Sequence, residues 1–152
     1  MPQKLAGMVV SSGEIDLVVL ELDAGVFQLV SQATLKLPVG GRPEGYRVIS
    51  GQLRDQLEAA NIECACIKAS AVSLGGTKKA HLEAAELRGV TLVSAASVCD
   101  VRCVSKGLTS RTFGDRKVDE YLKDDAFWNG HGLGQLKKGM REAALMVISQ
   151  FH

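Results

Sequence analysis

The chain has 152 residues, 46% of them apolar and 23% charged, with a formal net charge of +1. This balance suits one globular domain over residues 1–152 and excludes a disordered or collagen-like chain. No stretch approaches the ~20 apolar residues of a membrane span, and the N-terminus lacks the apolar run of a signal peptide, so a cytoplasmic protein with reduced thiols is expected.

Residues 5–10 form a short apolar run, and Ser11, Ser12 and Gly13 signal a turn. Residues 14–22 follow, with Val18, Val19 and Leu20 reading as buried on both faces. After Asp23, Ala24 and Gly25, residues 26–37 alternate: Phe27, Leu29, Ala33, Leu35 and Leu37 against Gln28, Ser31, Gln32, Thr34 and Lys36. Three runs joined by short turns predict an antiparallel meander.

Residues 44–60 carry Ile49, Leu53 and Leu57 at every fourth position, with Tyr46 on the same stripe, which predicts a helix ended by Asn61. Residues 62–69 read as a buried strand. A loop over 70–76 ends in Gly75 and Gly76, and Thr77 is placed to cap a helix running to Arg88, with Gly89 as its stop. Residues 90–96 read as a second buried strand, parallel to the first because a helix joins them. Residues 97–108 fit a strand or a short helix equally. A helix beginning at Thr112 or Asp115 is expected to reach about Lys123. Residues 124–134, with Trp128, His131 and three glycines, read as a loop. Leu136, Met140, Ala143, Ala144, Val147 and Phe151 then trace the stripe of a closing helix. The order predicts an α/β fold, with a mixed sheet of three antiparallel strands and then parallel ones, flanked by helices.

Specific stretches carry a resemblance. ECACIKAS (63–70) resembles the second catalytic strand of the ribonuclease-H-like superfamily, and KKAHLEAAELRGVTLVSAA (78–96) the helix and strand after it. GMVVSSGEIDLVVLEL (7–22) resembles the opening hairpin, and REAALMVISQFH (141–152) the last helix. Within the superfamily the chain looks most like bacterial Holliday-junction resolvases. That resemblance implies a homodimer, and acids at three places holding two divalent cations, usually magnesium, against a phosphate.

Carried onto this chain, the first-strand acid falls near Val10 or Ser11 and the second at Lys68, so neither supplies a carboxylate. Glu142, on the last helix, keeps an acid. The resemblance therefore implies a catalytically inactive ribonuclease-H-like domain, with no metal or other cofactor. Such a domain would bind DNA, RNA or a protein partner through the former active-site face. Lys68 would pair with Glu142 or meet a phosphate as a point charge. Lys68, Lys78, Lys79, Arg111 and Lys138 are the expected nucleic-acid contacts. One alternative is a magnesium-dependent nuclease with relocated ligands: Glu14 or Asp16, Asp115 or Asp119, and Glu142. Another is a structural adaptor.

The remaining candidates carry plainer readings. Residues 1–67 hold a net charge of −3 and residues 68–152 one of +4, which permits a basic face without requiring it. Cys64, Cys66, Cys99 and Cys103 lack common zinc spacing and read as core residues. His81 reads as a surface histidine and His152 as a mobile terminus, while Trp128 either covers the core edge or stacks on a base beside His131. Gly75, Gly76, Thr77, Lys78 and Lys79 open a helix and form the best anion-binding candidate. Arg111, Arg116 and Lys117 make a second basic cluster, and Lys137, Lys138 and Arg141 a third.

Overall fold

The computed structural model describes residues 1–72, 75–113 and 116–152, with the backbone alone at 112 and 113. Strands β1 (Gln3–Val10), β2 (Glu14–Asp23) and β3 (Val26–Lys36) form the antiparallel meander. Helix α1 (Arg42–Ala59) leads to β4 (Cys64–Lys68), and α2 (Lys79–Ala96) leads to β5 (Asp100–Val104). Both of these strands run parallel to β1, and the sheet order is β3-β2-β1-β4-β5. Short helices α3 (Lys106–Phe113), α4 (Val118–Leu122) and α5 (Asp125–Gly130) precede a 3₁₀ turn (Lys138–Met140) and the closing helix α6 (Arg141–Phe151). Among the described residues no helix is long and apolar enough to cross a membrane.

Strand parity divides the core in two. Leu5, Val18, Leu20, Cys64 and Cys66 face one layer with Trp128 and the apolar side of α6. Ala6, Met8, Val10, Ile15, Leu17, Val19, Ala65 and Ile67 face the other, with Ile49, Leu53 and Leu57 of α1 and Leu87 of α2. The alternation read along residues 26–37 hides a bulge. The β2–β3 register shifts between Val19 and Leu20, so Leu20 faces Leu29, Val19 faces Ser31, and Val30 is the extra, exposed residue. One inserted residue exchanges the faces. Phe27 therefore enters the α6 layer, and Leu35, of the same parity, enters the α1–α2 layer.

Asn61 ends α1 as expected. It takes φ 53°, its N–H donates to Glu58, and the Ile62 N–H donates to Leu57 at 3.2 Å. Around α2 the structure departs from expectation. The predicted strand over 90–96 is the second half of that helix, and the parallel strand is Asp100–Val104 instead. Gly89 does not stop the helix, because it keeps helical backbone and sits in open space. Leu87, Thr91, Ser94 and Ala95 are buried at helical spacing. The Thr91 and Ser94 hydroxyls donate to the Leu87 and Val90 carbonyls at 2.8 and 2.7 Å, so buried polar side chains cost little there. The N-cap is Lys78 rather than Thr77. The expected loop over 124–134 contains α5, whose Asp124 cap accepts from the Phe127 N–H at 3.2 Å. Residue 112 lies in α3 rather than at the start of a later helix, and Asp115 lies outside the described residues.

One contact positions the closing helix. A Cβ at Gly7 would strike the backbone carbonyl of Ala143, so glycine alone lets α6 lie directly on β1. Gly7→Ala should therefore lower stability by about 1–3 kcal/mol, read as an earlier urea midpoint. An unchanged midpoint would show that the two backbones are not in such close contact.

Candidate functional site

The carboxyl ends of the parallel strands of an α/β sheet form a natural binding crevice. Here the α6-side face of that crevice is set by register. Gly7 lies opposite Cys66 and Met8 opposite Ile67, so the next step places Val9 beside Lys68. Val9 also faces Asp16 across the antiparallel ladder, and Asp16 faces Thr34. The row across the sheet thus reads Thr34, Asp16, Val9, Lys68, Val104. Val9 packs against the α6-layer core, as parity requires.

Helix α6 lies over this row. Because Ala143 rests on Gly7, the preceding residue, Glu142, reaches the end of β4. Its Oε2 stands 2.9 Å from Lys68 Nζ, and the two side chains keep only 29% and 21% of their exposure. The pairing expected from the sequence is present. Nearby, Lys106 Nζ donates to Asp119 Oδ1 at 3.0 Å. That bond, together with the charges of Lys106, Lys123 and Lys68, holds the Asp119 carboxyl below its ordinary range. Among the described residues no three His, Cys, Asp or Glu side chains gather as a metal site.

Neither Val10 nor Ser11 lies on the Lys68 face of β1. Val10 points into the opposite layer with Ile15 and Ile49, and Ser11 is in the β1–β2 turn, where its N–H donates to the Glu14 carbonyl. Val9 is the β1 side chain on the Lys68 face. The signal was available: Gly7 and Val9 share parity, and Gly7 is where a helix can approach. Of the relocated acids, Asp16 lies on the site face and accepts from the Thr34 hydroxyl at 2.8 Å. Glu14 has the same parity but lies farther along, opposite Lys36.

The proposed nucleic-acid contacts are not gathered into one cluster. Lys78 and Lys79 are exposed at the start of α2, in the layer across the sheet from Lys68. Lys138 is exposed in the 3₁₀ turn before α6, and Arg111 is exposed near the end of α3. The second and third basic clusters thin out. Arg116 is bound to Asp124 at 2.9 Å and lies over the Tyr121 ring. Arg141 is 5% exposed, and it joins the Leu122 carbonyl and Asp125 at 2.9 and 2.8 Å. It is an anchor for α4 and α5 rather than a surface cation. The first amide of the glycine-rich α2 entry is taken by the chain itself, because the Lys78 N–H donates to His81 Nδ1 at 3.2 Å.

Arg88 went unnoticed in the sequence. From the α1–α2 layer its Nη1 donates to the Ser70 hydroxyl at 2.6 Å, and its Nη2 to the Val10 carbonyl at 3.3 Å. It thereby clamps the ends of β1 and β4, and burial draws its pKa down. No spacing rule would have found it, since both partners are distant in sequence. Trp128 is fully buried and donates to the Tyr121 carbonyl at 2.9 Å, so it offers no base-stacking surface. Burial pushes the Cys66 thiol up to about 12, the behaviour of a core residue.

No family model and no curated protein sequence matches the chain. Solved structures do. Thermus thermophilus RuvC superposes with a TM-score of 0.75 at 14% identity, over 97% of this chain and 92% of that one. The chain has the ribonuclease-H-like fold of the junction resolvases. The same RuvC in complex with a Holliday junction substrate gives 0.73 at 13% identity over the same shares. The yeast mitochondrial Holliday junction resolvase Ydc2 gives 0.61 at 11% identity, over 97% of this chain and 77% of that one. In this resolvase-like fold the Lys68–Glu142 pair lies at the carboxyl end of β4, beneath α6.

Replacing Lys68 with Met strands a half-buried carboxylate and should cost about 1–3 kcal/mol. Adding Glu142→Leu should recover much of that loss, because an apolar pair carries no unpaired charge. Chemical denaturation of the two single variants and the double measures the coupling. Strictly additive losses would mean the two groups do not act as a pair.

Proposed function

We propose that this chain is a resolvase-like domain without resolvase chemistry, which binds branched nucleic acid at the strand-end crevice. The observation that carries the reading is the identity of the groups there. Val9 and Lys68 stand on adjacent strands beneath Glu142, so neither of these strand ends supplies a carboxylate and Glu142 is already paired with an ammonium. A two-metal centre needs several anionic oxygens to compete with water for magnesium. A cation at Lys68 opposes metal binding and favours a phosphate. The Thermus relative is recorded with a Holliday junction substrate, which makes a four-way junction the first ligand to try. The four free cysteines suit the reducing cytoplasm, where such a domain would act.

Fluorescence anisotropy with a synthetic four-way junction, without metal, tests the binding. Affinity should fall with salt at a log–log slope of about −3, given the cations on the α6 side, Lys68, Arg111 and Lys138. Each of these changed to Ala should shallow the slope by about 1. Magnesium or manganese should yield no cleavage above a metal-free control. Absent or salt-independent binding would defeat the proposal.

Asp16 favours one rival, a magnesium-dependent nuclease with relocated ligands, because it shares the face of Glu142. Metal-dependent cleavage lost in Glu142→Ala would establish that rival. A constructive test complements it. Val9→Asp with Lys68→Glu would place three carboxylates, including Glu142, in the crevice. Calorimetry should then detect manganese binding to the double variant and none to the native chain. Manganese bound equally by both would disprove the neutralised-site reading.

A further inference from the structure

A cavity of about 360 Å³ lies between the first turns of α2 and the chain that follows β4. It belongs to the α1–α2 layer, across the sheet from the Lys68–Glu142 pair. Helical spacing puts His81, Ala84, Ala85 and Arg88 on one wall, and Ser70 and Val72 help to form the other. No acid lines it among the described residues. Glu83 and Glu86 of the same helix are turned to α1, where they meet Arg42 and Tyr46.

Each polar side chain on these walls is held as a donor. The guanidinium of Arg88 has no acceptor. Its Nη1 donates to Ser70 Oγ at 2.6 Å, which occupies a lone pair of that hydroxyl and leaves the O–H free to donate. The Lys78 N–H donates to His81 Nδ1 at 3.2 Å, so the neutral imidazole carries its proton on Nε2. Free amides at the start of α2 play no part, since the Lys78 N–H is spent on that bond. Arg88 forms no ion pair among the described residues, and its Nε is buried without a partner. A partly buried cation with no counter-ion is costly, and an anion in the cavity would offset that cost.

Three donors, one of them a cation, call for an anion with three accessible oxygens. A carboxylate offers two, and so does a phosphodiester within a nucleic-acid backbone, whereas a phosphate monoester offers three. The small apolar side chains of Val72, Ala84 and Ala85 leave room for the carbon skeleton that carries it.

We propose that the pocket between Ser70, His81 and Arg88 binds the terminal phosphate of a monoester, carried by a free small molecule or by the phosphorylated end of a nucleic-acid strand. The site is independent of junction binding on the Lys68 face. The first probe is inorganic phosphate, titrated at constant ionic strength against chloride and followed by NMR at the His81 ring and the Arg88 Nε–H. A saturable shift is expected, with a dissociation constant below ~1 mM. Ser70→Ala and His81→Ala, both at exposed positions, should each weaken binding about 10-fold while circular dichroism stays unchanged. Short DNA strands with a 5′-phosphate or a 5′-hydroxyl then separate the two sources. Displacement of inorganic phosphate by the phosphorylated strand alone, at a concentration at least ~10-fold lower, identifies a strand end. A phosphorylated strand no better than inorganic phosphate identifies a free ester. The proposal is overturned by no saturable shift up to ~10 mM phosphate, by a response that neither variant weakens, or by a 5′-hydroxyl strand that displaces phosphate as well as its phosphorylated twin.

Discussion

The close approach of α6 to β1 at Gly7 governs both the fold and the site. Most helices rest on a sheet through interlocking side chains. Here a backbone carbonyl, that of Ala143, meets a residue with no side chain. The depth of that contact fixes the height of the helix, and the turn before Ala143 then has one place to put Glu142. Sealing of the layer follows from the same seating. Ala144, Val147 and Ile148 are fully or almost fully buried, and Arg141 at the start of the helix reaches back to hold α4 and α5. The Lys68–Glu142 pair is thus a consequence of backbone packing, rather than a chance meeting of two long side chains on a surface.

Sequence legibility followed the strength of local signals. The meander was readable because turn residues separate the runs, and the end of α1 was readable because Asn61 tolerates the left-handed conformation it adopts. The second half of α2 looks like a strand in sequence for a physical reason. Its valines, threonine and small residues have strand-like composition, and Gly89 resembles a stop. The correct signal lay in the spacing of Leu87, Thr91, Ser94 and Ala95, which shows only when the glycine is allowed to remain helical. The bulge at Val30 left no trace at all, because the odd-numbered apolar residues on either side of it look continuous while facing opposite layers.

The Lys68–Glu142 ion pair was legible in the sequence, and the β1 side chain on its face was not. Lys68 and Glu142 were identified from their places in resolvase-like stretches, and they meet at hydrogen-bonding distance. The error at the first strand is a parity error. In a pleated strand a shift of one residue carries a side chain through the sheet, so Val10 and Val9 belong to different cores although they are adjacent. Arginines were the hardest residues to place. Arg88, Arg116 and Arg141 look alike in a sequence as basic residues, yet each is committed to named partners inside the fold.

The groups that hold this architecture are distinct from the groups that would give it chemistry. Gly7, Arg88, Asn61 and Arg141 act through backbone geometry, or through hydrogen bonds to carbonyl and hydroxyl oxygens, and none requires an anion in the crevice. The ends of β1 and β4 are clamped by Arg88 from the opposite layer whatever side chains Val9 and Lys68 present to the α6 layer. A carboxylate cluster without its metal would repel itself at this spot, and a lysine–glutamate pair removes that repulsion with no bound ion. An ammonium against a carboxylate is therefore stable at this spot with no bound ion, and the surrounding fold is held by other groups.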